Sequence, residues 1–209
     1  MSTALPTEHL PDDEIHVWQL PYQRAQRRAP LCALLGRYLG LAAEQVALVE
    51  GPHGRPELGL MHDRSLAFNW SHSGTQALVA LARGVTPGID LEQQRARPKA
   101  LALARRFFTT DEAQALAALP EDTRSAAFLR LWTAKEAVLK AHGSGISFGL
   151  HRLCVVTPSG QPTLQWMDGE EVGAWRLHAL DAGPDYLAAL AWRGGERRIR
   201  MQQLVFSPD

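Results

Sequence analysis

The stretch that most limits what this chain can fold into is TRSAAFLRLWTAKEAVLKAHG, residues 123–143. Its spacing predicts a helix of about six turns, stopped by Gly143. No other segment of the 209 residues carries a helical pattern of that length. The remaining apolar segments are short: IHVWQL near the start, SLAFNWSHSG and TQALVALARG in the middle, and LHRLCVV, AWRLHAL, DYLAALAWR and IRMQQLVF toward the end. Brief apolar runs bounded by Gly and Pro read as strands. One long helix with Leu131, Val138 and Leu139 toward its apolar side, set among many strands, makes an α+β protein.

The organisation repeats loosely. RAPLCALLGRYLG predicts a shorter helix ending at Gly40, GPHGRPEL reads as a loop, and PKALALARRFF reads as helical. TTDEAQALAAL carries a capping box, Thr109 followed three residues later by Glu112, and Pro120 closes that helix. Pro87-Gly88 breaks the chain before a strand at IDLE. Each half then holds a helix, a glycine-containing loop and hydrophobic strands, and ALVALARG is echoed by LAALAWRGG. The expectation is two similar α+β lobes related by a pseudo-twofold, residues 1–87 and 88–209, packed tightly with the active site in the cleft between them.

Charge narrows the partners. Lys plus Arg, 22, equals Asp plus Glu, 22, so no global field draws the chain to nucleic acid or to an anionic membrane. An anion must be held by a local cluster, and RAQRR, RARPK and ERRIR are the candidates. Cys32 and Cys154 stand far apart in apolar settings, with neither a metal-binding spacing nor a disulfide framework. The N-terminus lacks the pattern of a signal peptide, and no apolar run approaches the ~20 residues of a spanning helix. A cytoplasmic location is expected.

The chemistry concentrates in PGIDLEQ, residues 87–93. In a strand, Asp90 and Glu92 point the same way, so two like charges lie side by side. On the long helix, Trp132, Glu136 and Lys140 fall on one face. Each feature alone has a plain structural account: a solvated strand edge, or an exposed i, i+4 pair worth a few tenths of a kcal/mol. Together, three carboxylates and a lysine suit a hard divalent cation and a phosphate group. Ser71, His72 and Ser73 add hydroxyls, an imidazole and a turn; Gly54, Arg55 and Pro56 form a rigid turn with one cation.

GRP, FNWSHSG, GIDLE, ARRFFTTDE and LWTAKEAVLKAHGSGIS stand in the order and at about the spacing of the 4′-phosphopantetheinyl transferases. The length and two-lobed pattern resemble the monomeric, surfactin-type branch, over roughly residues 30–155. The resemblance implies transfer of the phosphopantetheine arm of coenzyme A to a serine of an apo acyl, peptidyl or polyketide carrier protein. It implies Mg²⁺ held by Asp90, Glu92 and Glu136, with Glu136 or Glu92 as the base. Lys140 would neutralise phosphate charge, assisted by Lys135. Ser71 and His72 would contact the nucleotide phosphates, and Gly54, Arg55 and Pro56 would border the adenine. Two departures stand out: Arg55 replaces the lysine usual in the family, and the basic segment before the first helix is short. Arg24, Arg27 and Arg28 are the residues available there for the 3′-phosphate. Arg95, Arg97, Lys99, Arg105 and Arg106 offer a basic surface to an acidic carrier. The alternative is a catalytically silent protein of the same fold that binds coenzyme A or a carrier.

Overall fold

The computed structural model describes residues 7–204. β1 (Glu14–Pro21) leads through α1 (Ala29–Leu39) to a short hairpin, β2 (Leu48–Glu50) and β3 (Pro56–Leu58). A longer hairpin follows, β4 (Leu66–Ser73) and β5 (Gln76–Arg83), and then β6 (Gly88–Gln93). The helices α2 (Ala100–Phe107), α3 (Thr110–Ala117) and α4 (Glu121–His142) come next. The described chain closes with β7 (Leu153–Val156), β8 (Thr163–Met167), β9 (Trp175–Leu180), β10 (Tyr186–Arg193) and β11 (Arg198–Gln203).

Two sheets dominate, ordered β11-β1-β5-β4 and β6-β10-β9. α1 covers one face of the first, burying Leu31, Leu34 and Leu35 against Trp18, Leu20 and Phe68. α4 covers one face of the second, with Ala134, Ala137 and Val138 against Ala189 and Ala191. The two inner faces meet in a third core, Ile15, Val17, Leu78 and Ala80 packing with Ile89, Leu91, Leu190 and Trp192. Strands buried on both faces cannot alternate in polarity. That is why QALVALAR and YLAALAWR are nearly continuous apolar runs: β5 and β10 are the middle strands of their sheets. The sequence echo marks equivalent places in two layers, each a sheet with one helix on its outer side.

Several local features follow from their residues. Gly40 and Gly143 end α1 and α4 in the left-handed conformation, at φ 67° and 85°. Thr109 and Glu112 form the expected capping box: Thr109 Oγ1 accepts from the Glu112 N–H at 3.2 Å, and Glu112 Oε2 accepts from the Thr109 N–H at 2.9 Å. α3 already stops at Ala117, and Pro120 instead serves as the N-cap of α4. GPHGRPEL is not wholly loop, since Pro56–Leu58 pairs with Leu48–Glu50. Thr163–Met167, not anticipated as a strand, pairs with β7. β11 crosses back to lie parallel to β1, Ile15 opposite Ile199. A division after residue 87 therefore leaves the last strand in the sheet of the other half. Among the described residues no helix is long and apolar enough to cross a membrane.

Candidate functional site

The site forms where the two sheets meet along β4 and β6. These strands belong to different sheets, and side chains of β4 make the connection. Asn69 Oδ1 accepts from the Ile89 N–H at 2.9 Å, and Ser71 Oγ donates to Asp90 Oδ1 at 2.8 Å. Ser73 Oγ accepts from the Gln93 N–H at 3.0 Å and reaches Glu92 Oε2 at 3.5 Å. Residues 69, 71 and 73 share one face because strand side chains alternate. A polar residue at every second position of a half-buried strand thus builds a seam.

α4 lies directly against β6. Gly88 permits it: a Cβ there would fall on the carbonyl oxygen of Ala137 and the amide nitrogen of Ala141. The close approach sets the last turns of α4 beside Asp90. Lys140 Nζ donates to Asp90 Oδ1 at 2.7 Å and to the Ile89 carbonyl at 3.0 Å. Glu136, one turn earlier, is 9% exposed. Burial first, then the neighbouring Asp90 carboxylate, pushes its carboxyl up to about 7, while Lys140 pulls the other way. Burial and Asp90 also raise Glu92, opposed by Arg97, whose Nη2 lies 3.3 Å from Glu92 Oε2.

Asp90 Oδ2 and Glu136 Oε1 are buried without a hydrogen-bond partner. A buried carboxylate oxygen without a donor is costly, and two of them beside each other on β6 and α4 fit a hard, oxygen-seeking cation. Among the described residues no three His, Cys, Asp or Glu side chains gather into a complete metal centre. An octahedral cation that keeps waters and takes substrate phosphate needs only one or two carboxylates. The donor set fits such an ion, with Asp90 and Glu136 as its protein side.

The other anticipated residues divide. His72 projects from β4 with its ring stacked on Tyr22, centroids 4.5 Å apart. Burial, then the charges of Arg24, before α1, and Lys140, on α4, hold its pKa below the usual imidazole value. Arg28 lies at the surface, 3.5 Å from Glu50. Gly54 takes φ +74° with open space about its Cα, and Pro56 begins β3. Arg55 turns inward onto main-chain carbonyls.

Lys135 is not brought to this site. It is fully buried, and its Nζ donates to Glu112 Oε2 and to the carbonyls of Leu150 at 2.7 Å and Leu153 at 2.8 Å. All three donors of the ammonium are thereby engaged. Glu112 Oε1 accepts in turn from the Val155 N–H at 2.9 Å, tying α3, α4 and β7 together. Asn69 was missed by reading the sequence. Its signal is the N-x-S-x-S alternation inside FNWSHSG.

Residues 86–191 match the model of the ACPS family, the 4′-phosphopantetheinyl transferase superfamily. The chain is 32% identical to the 4′-phosphopantetheinyl transferase HetI of Nostoc sp., over 90% of this chain and 92% of HetI. It is 35% identical to the 4′-phosphopantetheinyl transferase psf-1 of Bacillus pumilus, over 80% of this chain and 71% of that protein. A partial structural likeness to the holo-[acyl-carrier-protein] synthase of Thermotoga maritima has a TM-score of 0.40 at 21% identity, covering 54% of this chain and 63% of that one.

Proposed function

The chain belongs to the 4′-phosphopantetheinyl transferase superfamily, and from that membership we propose the reaction in full. The protein transfers the 4′-phosphopantetheine group of coenzyme A to a serine hydroxyl of an apo acyl, peptidyl or polyketide carrier protein. The serine oxygen bonds to the β-phosphorus that bears the pantetheine arm. The pyrophosphate bridge breaks, adenosine 3′,5′-bisphosphate leaves, and the hydroxyl proton passes to a base. The observation that carries this reading is the meeting of Asp90, Glu136 and Lys140 at the seam, with two buried carboxylate oxygens unpartnered.

Attack of an alcohol on a diphosphate needs charge neutralised and geometry fixed more than covalent help. Asp90 and Glu136, with Glu92 on the same strand as Asp90, would hold Mg²⁺, which when bound would supply Lewis-acid polarisation of the phosphoryl group. Ser71 orients Asp90 by its 2.8 Å hydrogen bond. Lys140 neutralises phosphate charge next to the scissile bridge. Glu136 is the candidate base for the serine proton; Glu92 is the second choice for that role. His72 and Arg24 face the nucleotide phosphates, with Arg28 nearby on the chain, and the Gly54–Pro56 turn borders the adenine. Lys135 supports α4 from behind.

In this reading residues 1–87 grip the nucleotide and residues 88–209 carry the metal ligands and α4, while β11 returns to the first sheet. An acidic carrier docks on the basic stretch from Arg95 through Lys99 to Arg105 and Arg106, beside a groove of about 530 Å³ that Arg97 and Glu121 line. The protein works as a cytoplasmic monomer without nucleic acid or membrane. Incubation with coenzyme A, Mg²⁺ and an apo carrier tests the reading by intact mass. The carrier gains one phosphopantetheine and the gain disappears with chelator. No gain with any of a panel of apo carriers contradicts it.

A further inference from the structure

Arg55 stands in the turn expected to border the nucleotide, yet its guanidinium meets no carboxylate among the described residues. Nη1 donates to the carbonyl of Lys140 at 2.6 Å, and Nη2 to the carbonyls of Phe68 at 2.9 Å and Pro87 at 3.3 Å. Burial holds its pKa below the ordinary guanidinium value, opposed by the charge of Glu57. The three acceptors come from three places: β4, the crossing between the halves, and the last turn of α4. Lys140 is among the last four residues of α4, so its carbonyl has no partner within the helix. A cation at that negative end of the helix is favourable as well as satisfying.

The same Lys140 reaches Asp90 with its side chain. The Arg55 contact on its main chain and the Asp90 contact on its ammonium therefore fix one residue from two sides. We propose that Arg55 is a positioning residue: it pins the end of α4 to β4 and to Pro87, and thereby holds Lys140 against Asp90, instead of gripping a coenzyme phosphate. The inference rests on the transferase reading and deepens it. It also accounts for an arginine in that turn, because a planar fork can serve three carbonyls from two nitrogens in one fixed geometry.

A double-mutant cycle tests it, with Arg55→Gln and Lys140→Ala measured singly and together by single-turnover mass analysis of the carrier. Arg55→Gln lowers kcat by about tenfold, the scale of a small misplacement or a coupled contact, and leaves the coenzyme KM within about twofold. In the Lys140→Ala background it changes kcat by less than about twofold, because nothing remains to position. The same loss in both backgrounds overturns the proposal. So does a raised coenzyme KM with kcat retained, the mark of a phosphate contact. Thermal melts check folding; if Arg55→Gln fails to fold, Arg55→Lys goes through the same cycle. Failure of the wild-type protein to modify any carrier removes the transferase reading itself, whereas an active wild type with an additive cycle removes only the role of Arg55.

Discussion

Lys140 Nζ lies 2.7 Å from Asp90 Oδ1, joining the last turn of α4 to the middle of β6. Ser71 Oγ reaches the same oxygen at 2.8 Å. One oxygen of Asp90 is thus saturated by protein donors, and the other is buried without a partner. A carboxylate held in this way presents its free oxygen in a fixed direction, the arrangement that electrostatic catalysis requires.

Glu136→Gln tests the proposed base. The amide keeps the shape of the side chain but cannot accept the serine proton, so kcat falls by about 10²- to 10⁴-fold. Stability holds or rises, because an unpartnered buried charge beside Asp90 is removed. Glu136→Gln activity within tenfold of wild type, with a deeper loss in Glu92→Gln, transfers the role to Glu92.

The raised Glu136 carboxyl makes a pH prediction for the metal-free protein. Its ordinary value is 4.5, and burial with Asp90 raises it to about 7 in the folded state. Between those values the folded protein keeps a proton that the unfolded chain releases, so stability falls as pH rises. A displacement of that size corresponds to about 3 kcal/mol, complete above neutral pH. Denaturant titrations in chelator from pH 4.5 to 8 show the slope in wild type and a flatter curve in Glu136→Gln. Equal slopes in both contradict it.

Asn69→Ala removes the acceptor of the Ile89 N–H at the seam. An orphaned buried donor costs about 1–3 kcal/mol. Urea unfolding registers that loss, and amide exchange at Ile89 quickens. Unchanged stability means that β4 and β6 hold together without this bridge.

Lys135→Ala separates architecture from coenzyme contact. Removing one partner of a buried pair leaves Glu112 uncompensated, at a cost of about 3–5 kcal/mol. The coenzyme KM of the folded fraction stays within about twofold of wild type. A retained melting temperature with a raised KM places Lys135 in the coenzyme site after all.

What was legible in the sequence is what depends on local periodicity. The alternation of a strand put Asp90 and Glu92 on one face, and the helical repeat set Glu136 and Lys140 one turn apart; neither needs knowledge of a distant residue. Lys135 shows how a motif misleads. It adjoins Glu136 in the chain, yet neighbours on a helix point about 100° apart, and the difference sends one to the seam and the other to Glu112. Arg55 was readable as a cation in a turn, but its three carbonyl acceptors come from residues 13 to 85 positions away. Main-chain oxygens leave no mark in a sequence. The return of β11 to β1 was hidden for the same reason, since strand order between distant segments is fixed by packing of Ile15 and Ile199 rather than by pattern.

Divalent-cation binding tests the central claim most directly. Mn²⁺, a spin-active stand-in for Mg²⁺, is titrated into the protein with coenzyme A present and followed by electron paramagnetic resonance. The account predicts one bound ion in wild type, and affinities lowered at least about tenfold in both Asp90→Asn and Glu136→Gln. Equal affinity in wild type and both variants would mean that β6 and α4 do not share an ion, and would contradict it.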